Sequence, residues 1–147
     1  MAKRPQKSLG LAREVFAPDP NPITRVSSDF LKYFGSMEVV EEKVLLHSRE
    51  LDRPMNNQEI AKRWRPGTTT LGVVLYNIRH NQNLVRNGSA NIFYVENKDG
   101  VLCALRVYWR DEGGWGVDAN SVEAPGEWGA GRRVFSRKFK RSGPKPK

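Results

Sequence analysis

The sequence predicts an α+β domain: an N-terminal three-helix unit followed by a small antiparallel β-sheet, with basic flexible tails. Two patterns carry this. Up to about residue 82, apolar residues recur at three- and four-residue spacing. After residue 84 come runs rich in aromatic and β-branched residues, separated by Asn, Asp and Gly turns. The expected organisation is an extended, Pro-containing arm over 1–27, one domain over 28–136 (28–83 helical, 84–136 β-rich) and a basic disordered tail over 137–147.

Each element has its own reason. Pro5, Pro18, Pro20 and Pro22 interrupt the first 27 residues, which show little periodicity. Ser28 to Phe34 reads as a short turn of helix ahead of the three-helix unit, with Ser28 as its cap and Gly35 as its stop. Ser36 is a second cap and starts the first helix of the three-helix unit, over about 37–51, with Glu38, Glu41 and Glu42 in its first turns. Its stripe is Met37, Val40, Val44, His47 and Leu51, and His47 there is a core or boundary residue. Arg53-Pro54 ends it. Asn56 and Glu59 have the spacing of a capping box, and Ile60, Ala61 and Trp64 make the apolar face of a helix over 57–64. Arg65-Pro66-Gly67 is a stop and turn. A further helix over 70–82 buries Leu71, Val74, Leu75 and Ile78, held by packing because Gly72 and its neighbouring valines and threonines weaken its propensity.

Residues 91–96 read as a strand, and Asn97-Lys98-Asp99-Gly100 as a hairpin turn. Val101 to Trp109 is the strongest strand. Its apolar face is Val101, Cys103, Leu105, Val107 and Trp109; its other face, Leu102, Ala104, Arg106 and Tyr108, is mixed and so partly exposed or covered. Cys103 is a buried small hydrophobe with no histidine nearby to activate it. Trp115-Gly116-Val117 starts a third strand, residues 119–131 are ordered loop, and Val134-Phe135-Ser136 returns to the sheet edge.

Composition excludes several classes. With 147 residues, 38% hydrophobic and 28% charged, the chain can bury one core. It contains no apolar run long enough for a transmembrane helix, and the basic Met1–Pro5 segment precedes no apolar stretch, so neither a membrane span nor a secretory signal is expected. One cysteine rules out an intramolecular disulfide, and with two distant histidines, His47 and His80, it offers no zinc-site spacing. No metal or cofactor is expected, and the expected location is the cytoplasm of a bacterium or a phage-infected cell.

Charge distribution points to a partner. The net charge is +9. Residues 131–147 hold Arg132, Arg133, Arg137, Lys138, Lys140, Arg141, Lys145 and Lys147 and no acid. Residues 53–86 hold Arg53, Lys62, Arg63, Arg65, Arg79 and Arg86 against Glu59 alone. The segments on either side, 36–52 and 96–127, are net acidic. A basic island and a polybasic arm suit a polyanion; ordinary solubilising charge is the bland reading of the island alone.

The stretch Asn57-Gln58-Glu59-Ile60-Ala61-Lys62-Arg63-Trp64, then Thr68 to Arg79, resembles the helix-turn-helix region of winged-helix nucleic-acid-binding domains, over about 37–109. The resemblance implies that the second helix enters the major groove and the hairpin serves as a wing. From the residues themselves, burying Leu71, Val74, Leu75 and Ile78 leaves Thr69, Val73, Tyr76, Asn77, Arg79 and His80 outward, groups that bond phosphates and base edges. Lys62, Arg63 and Arg65 reach flanking phosphates, as do Arg132, Arg133, Arg137, Lys138, Lys140 and Arg141 of the arm. Trp128 and Phe135 either pin the arm to the domain or stack on unpaired bases, the first being preferred because aromatics are more often packed than displayed.

The expected function is therefore non-enzymatic nucleic-acid binding, DNA ahead of RNA. The alternative is an accessory or inhibitor protein, phage or bacterial, that docks on a host protein or ribonucleoprotein through the acidic β-rich half. The block Glu127 to Arg137 looks like a stretch in small bacterial and phage proteins of unknown function. A metal-dependent nuclease is a lesser reading: Glu96 and Lys98 have a Glu-x-Lys spacing, with Asp111, Glu112 and Asp118 downstream, but no paired upstream acid.

Overall fold

A computed structural model of the chain describes residues 7–16 and 22–139. In chain order the elements are β1 (Ser8–Leu11), α1 (Ala12–Val15), β2 (Ile23–Val26), α2 (Ser28–Phe34), β3 (Glu38–Val40), β4 (His47–Glu50), α3 (Asn57–Trp64), α4 (Leu71–His80), β5 (Asn91–Glu96), β6 (Leu102–Trp109), β7 (Trp115–Ser121) and β8 (Arg133–Ser136). Strands β1 and β3 form a two-stranded antiparallel ribbon. The other six form one mixed sheet in the order β2-β7-β6-β5-β8-β4. The pairs β2–β7 and β5–β8 are parallel, and the rest antiparallel.

Alternation along the strands sorts the core into two faces. Phe93 and Val95 of β5, with Cys103, Leu105 and Val107 of β6, meet Leu71, Val74, Leu75 and Ile78 of α4 and Phe30 and Phe34 of α2. Ile92 and Tyr94 of β5, with Ala104 of β6 and Val134 of β8, meet Ile60 and Trp64 of α3. The sheet is thus sandwiched, with α4 on one face and α3 on the other. Eight-residue α3 is too short to be stable alone. Its capping box, Asn56 Oδ1 accepting from the Glu59 N–H (2.8 Å) and Glu59 Oε1 from the Asn56 N–H (2.9 Å), and its buried Ile60 and Trp64 hold it on the sheet. Fully burying one such side chain is worth about 1.5–3 kcal/mol.

The structure corrects the predicted fold class. There is no N-terminal three-helix unit, because residues 37–51 are not a helix. They form β3, a connecting segment and β4. The three- and four-residue spacing exists, but of that stripe only Leu51 is buried; Met37, Val40 and Val44 are half-buried and His47 is exposed, while Val39 and Leu46, outside the stripe, are buried. β3 and β4 take their backbone partners from β1 and β8, far away in sequence, and such pairing overrides local periodicity. α3 and α4 also do not pack as a helix-turn-helix pair, since the sheet separates them. The connection between them runs along the edge of β5, where the Thr69 N–H donates to the Tyr94 carbonyl at 2.8 Å.

The expected N-terminal arm is likewise structured where it is described. β1, α1 and β2 lie within 8–26, and Ala12, Phe16 and Ile23 are fully buried. Val134-Phe135-Ser136 lies inside the sheet, between β5 and β4, not at its edge. α2, α3, α4 and the β5–β6 hairpin form where the sequence places them. Ser27, rather than Ser28, caps α2, its Oγ accepting from the Phe30 N–H at 3.1 Å. Gly100 closes the hairpin at φ +83°, the left-handed region that favours glycine.

Candidate nucleic-acid interface

The expected recognition face of α4 is mostly inside the protein. Asn77 is fully buried. Its Oδ1 accepts from the Leu46 N–H (3.0 Å), and its Nδ2 donates to the Val44 and Val73 carbonyls (both 2.7 Å). It pins the β3–β4 connection to α4 and is unavailable to a base edge. Val73 is buried too, because α4 is covered by the sheet on one side and by β3 and its connection on the other. Thr69 is half-buried in its bridge to β5, with an Oγ1 that has no partner. Tyr76 is half-buried, its ring 4.5 Å from that of His80. Tyr76, Arg79 and His80 line a polar cavity of about 230 Å³ with Glu41, Glu42 and Lys43. This is a mixed-charge site rather than a basic face.

The basic residues of α3 fare differently. Lys62 is exposed on the last turn. Arg65, the C-cap, is exposed in the left-handed region at φ 47°. Arg63 pairs with both carboxylate oxygens of Asp52 (3.0 and 3.3 Å) and lies 5.2 Å from the Trp64 ring centroid. That contact holds the Asp52 carboxyl below its ordinary range.

The root of the C-terminal arm lies beside this end of α3. The Gly67 N–H donates to Ser136 Oγ at 2.9 Å, and Ser136 Oγ in turn donates to the Lys138 carbonyl at 2.7 Å. Phe139 packs edge-on to Trp64 at 6.3 Å, and the Arg49 guanidinium lies 5.2 Å from its ring centroid. Arg137 is exposed and pairs with Glu42 at 3.7 Å; Lys138 is exposed. Lys62, Arg65, Lys138 and the Phe139 anchor are thus brought together on the α3 side of the sheet, at its β8–β4 end.

The remaining candidates are scattered or spoken for. Arg133 is half-buried, pairs with Glu50 at 3.5 Å and donates to Ser48 Oγ at 3.3 Å. Arg132 is half-buried with its guanidinium over Gly129. Lys140 and Arg141 lie outside the described residues. Trp128 and Phe135 are packed: Trp128 Nε1 donates to Asn57 Oδ1 at 2.8 Å, and Phe135 stacks on Phe93 at 5.1 Å. Sequence reasoning missed Phe139 and Arg49. A lone aromatic inside an otherwise basic segment was the available signal for Phe139; Arg49 gave none, since it sits in an acidic stretch.

Glu96 and Lys98 do not converge on an acid cluster. Glu96 is exposed, and Lys98 Nζ donates to Ser36 Oγ at 2.7 Å. Among the described residues no three His, Cys, Asp or Glu side chains gather as metal ligands. Among the same residues no helix is long and apolar enough to cross a membrane. Comparison with protein-family models, with curated proteins and with solved structures finds no match to this chain.

Proposed function

We propose that the protein binds nucleic acid through a composite basic surface: the C-terminal end of α3, with Lys62 and Arg65, joined to the arm that leaves the domain at Ser136. One observation carries this reading. The Gly67–Ser136 hydrogen bond and the Trp64–Phe139 contact put the basic end of α3 and the arm's root side by side. Beyond Phe139 the sequence continues with Lys140, Arg141, Lys145 and Lys147 and no acid. Lys62, Arg65 and Lys138 enter none of the ion pairs among the described residues, so their charge is available to phosphates. The same reading puts the protein in the cytoplasm, the compartment of nucleic acid in a bacterial cell.

An electrophoretic titration with duplex DNA, single-stranded DNA and RNA at two salt concentrations tests it. Affinity falls steeply with salt. Replacing Lys138, Lys140, Arg141, Lys145 and Lys147 with serine, while keeping Phe139, lowers the log–log salt slope by up to about five times 0.9 for duplex DNA. An unchanged slope overturns the arm's role. If no nucleic acid binds while the exposed acids Asp111, Glu112, Glu123 and Glu127 prove necessary for a protein contact, the docking alternative replaces this one.

A further inference from the structure

A second feature adjoins the basic end of α3: an open pocket of about 240 Å³ between that helix and the sheet. Ala61, Pro66, Leu102 and Val122 give it apolar walls, and the buried Tyr94 completes them. Polar wall positions are fixed. Asn57 Oδ1 accepts from both the Tyr94 hydroxyl and Trp128 Nε1 (2.8 Å each), and its Nδ2 donates to the Val122 carbonyl at 3.3 Å. These bonds hold helix, sheet and the segment after β7 in one arrangement, so the pocket is preformed. Gln58, Thr68 and Glu123 are the exposed polar lining residues, and Glu123 has no ion-pair partner among the described residues.

Charge complementarity singles out an occupant. Gln58, Ala61, Lys62 and Arg65 are three, four and seven residues apart and follow one stripe of α3 and its C-cap. Two cations therefore border a largely apolar pocket, the combination that single-stranded nucleic acid requires: phosphates on the charges, a base against the apolar surface. The volume lies below the range of sites for drug-sized ligands, which suits a single ring system. A duplex keeps its bases stacked inside and could use the cations alone. A carboxylate accepts from an exocyclic amine, as Glu does from cytosine N4, whereas thymine presents a carbonyl at the same place. The Gln58 amide donates to ring acceptors.

We propose that this pocket receives one unpaired base bearing an exocyclic amine, with the flanking phosphates on Lys62 and Arg65. This inference rests on the nucleic-acid-binding reading above.

The test measures the affinity of the full chain for fluorescent single-stranded oligomers of deoxycytidine and of thymidine, about 12 nucleotides long, and for a duplex of the same length. The wild type binds the cytidine oligomer about fivefold or more tighter than the thymidine oligomer. Glu123→Gln abolishes that difference and leaves duplex affinity unchanged. Ala61→Trp, at an exposed helix position, fills the pocket and lowers single-strand affinity by about fivefold or more, again without affecting the duplex. Equal affinity of the wild type for the cytidine and thymidine oligomers overturns the pocket while leaving the basic surface standing. So does a cytidine preference that survives both substitutions. Failure of every oligomer to bind at low salt overturns the basic surface itself, and the pocket with it.

Discussion

Asn77 and Cys103 are the two residues whose surroundings fix the most. Asn77 satisfies the backbone of a segment that has no strand partner there, Val44 to Leu46, from inside the core. Asn77→Ala leaves the buried Leu46 N–H and the part-buried Val44 carbonyl without their partner, at about 1–3 kcal/mol for the buried group. The expected outcome is a large loss in chemical denaturation; a melting curve like that of the wild type would contradict the burial. Cys103 is fully buried, and burial pushes its thiol up to about 11 from an ordinary value of 9.0. A raised value in the folded state favours folding below the unfolded value and loses that contribution as pH rises from about 9 to about 11. Native protein is therefore expected to resist a thiol reagent near pH 8, reacting only on unfolding; fast native labelling would contradict the placement of β6.

Among the elements, α4 shows how close packing decides what a helix can do. Gly72 is buried, and a Cβ there would overlap the Val40 carbonyl oxygen, so β3 and its connection lie directly on the helix backbone. Gly72→Ala gains up to about 1 kcal/mol of helix propensity. The variant is nonetheless expected to melt below the wild type, because the overlap is with backbone and cannot be relieved by a rotamer change. A higher melting temperature would show that β3 does not lie there. The same packing explains what was legible in the sequence. α3 was readable from its capping box, and β6 from its unbroken apolar face, since both signals are local. β3 and β4 were not readable, because their partners, β1 and β8, lie far away in sequence. Asn77 looked outward because four apolar positions define only one face of α4. The burial of its other face depends on residues 38–46, which periodicity assigned to a helix of their own.

At the scale of the molecule, the fold separates the basic segment into two fates. Its α4 half, with Arg79, borders a mixed-charge cavity on one face of the sheet. Its α3 half, with Lys62 and Arg65, meets the root of the arm on the other. The sequence disclosed that both segments were basic. Their meeting was not legible, because it depends on β8 lying inside the sheet and on Phe139 reaching Trp64. Net charge alone would make any basic surface equivalent, so the account stands on position. The most direct measurement compares two triple variants of equal charge by the salt dependence of single-stranded DNA binding. One removes Lys62, Arg65 and Lys138; the other removes Arg13, Arg25 and Lys32, exposed residues of α1, β2 and α2. The account predicts that the first variant loses affinity and that its log–log slope falls by about 0.7 per charge, while the second stays close to the wild type. Equal losses in the two variants, or a greater loss in the second, would contradict it.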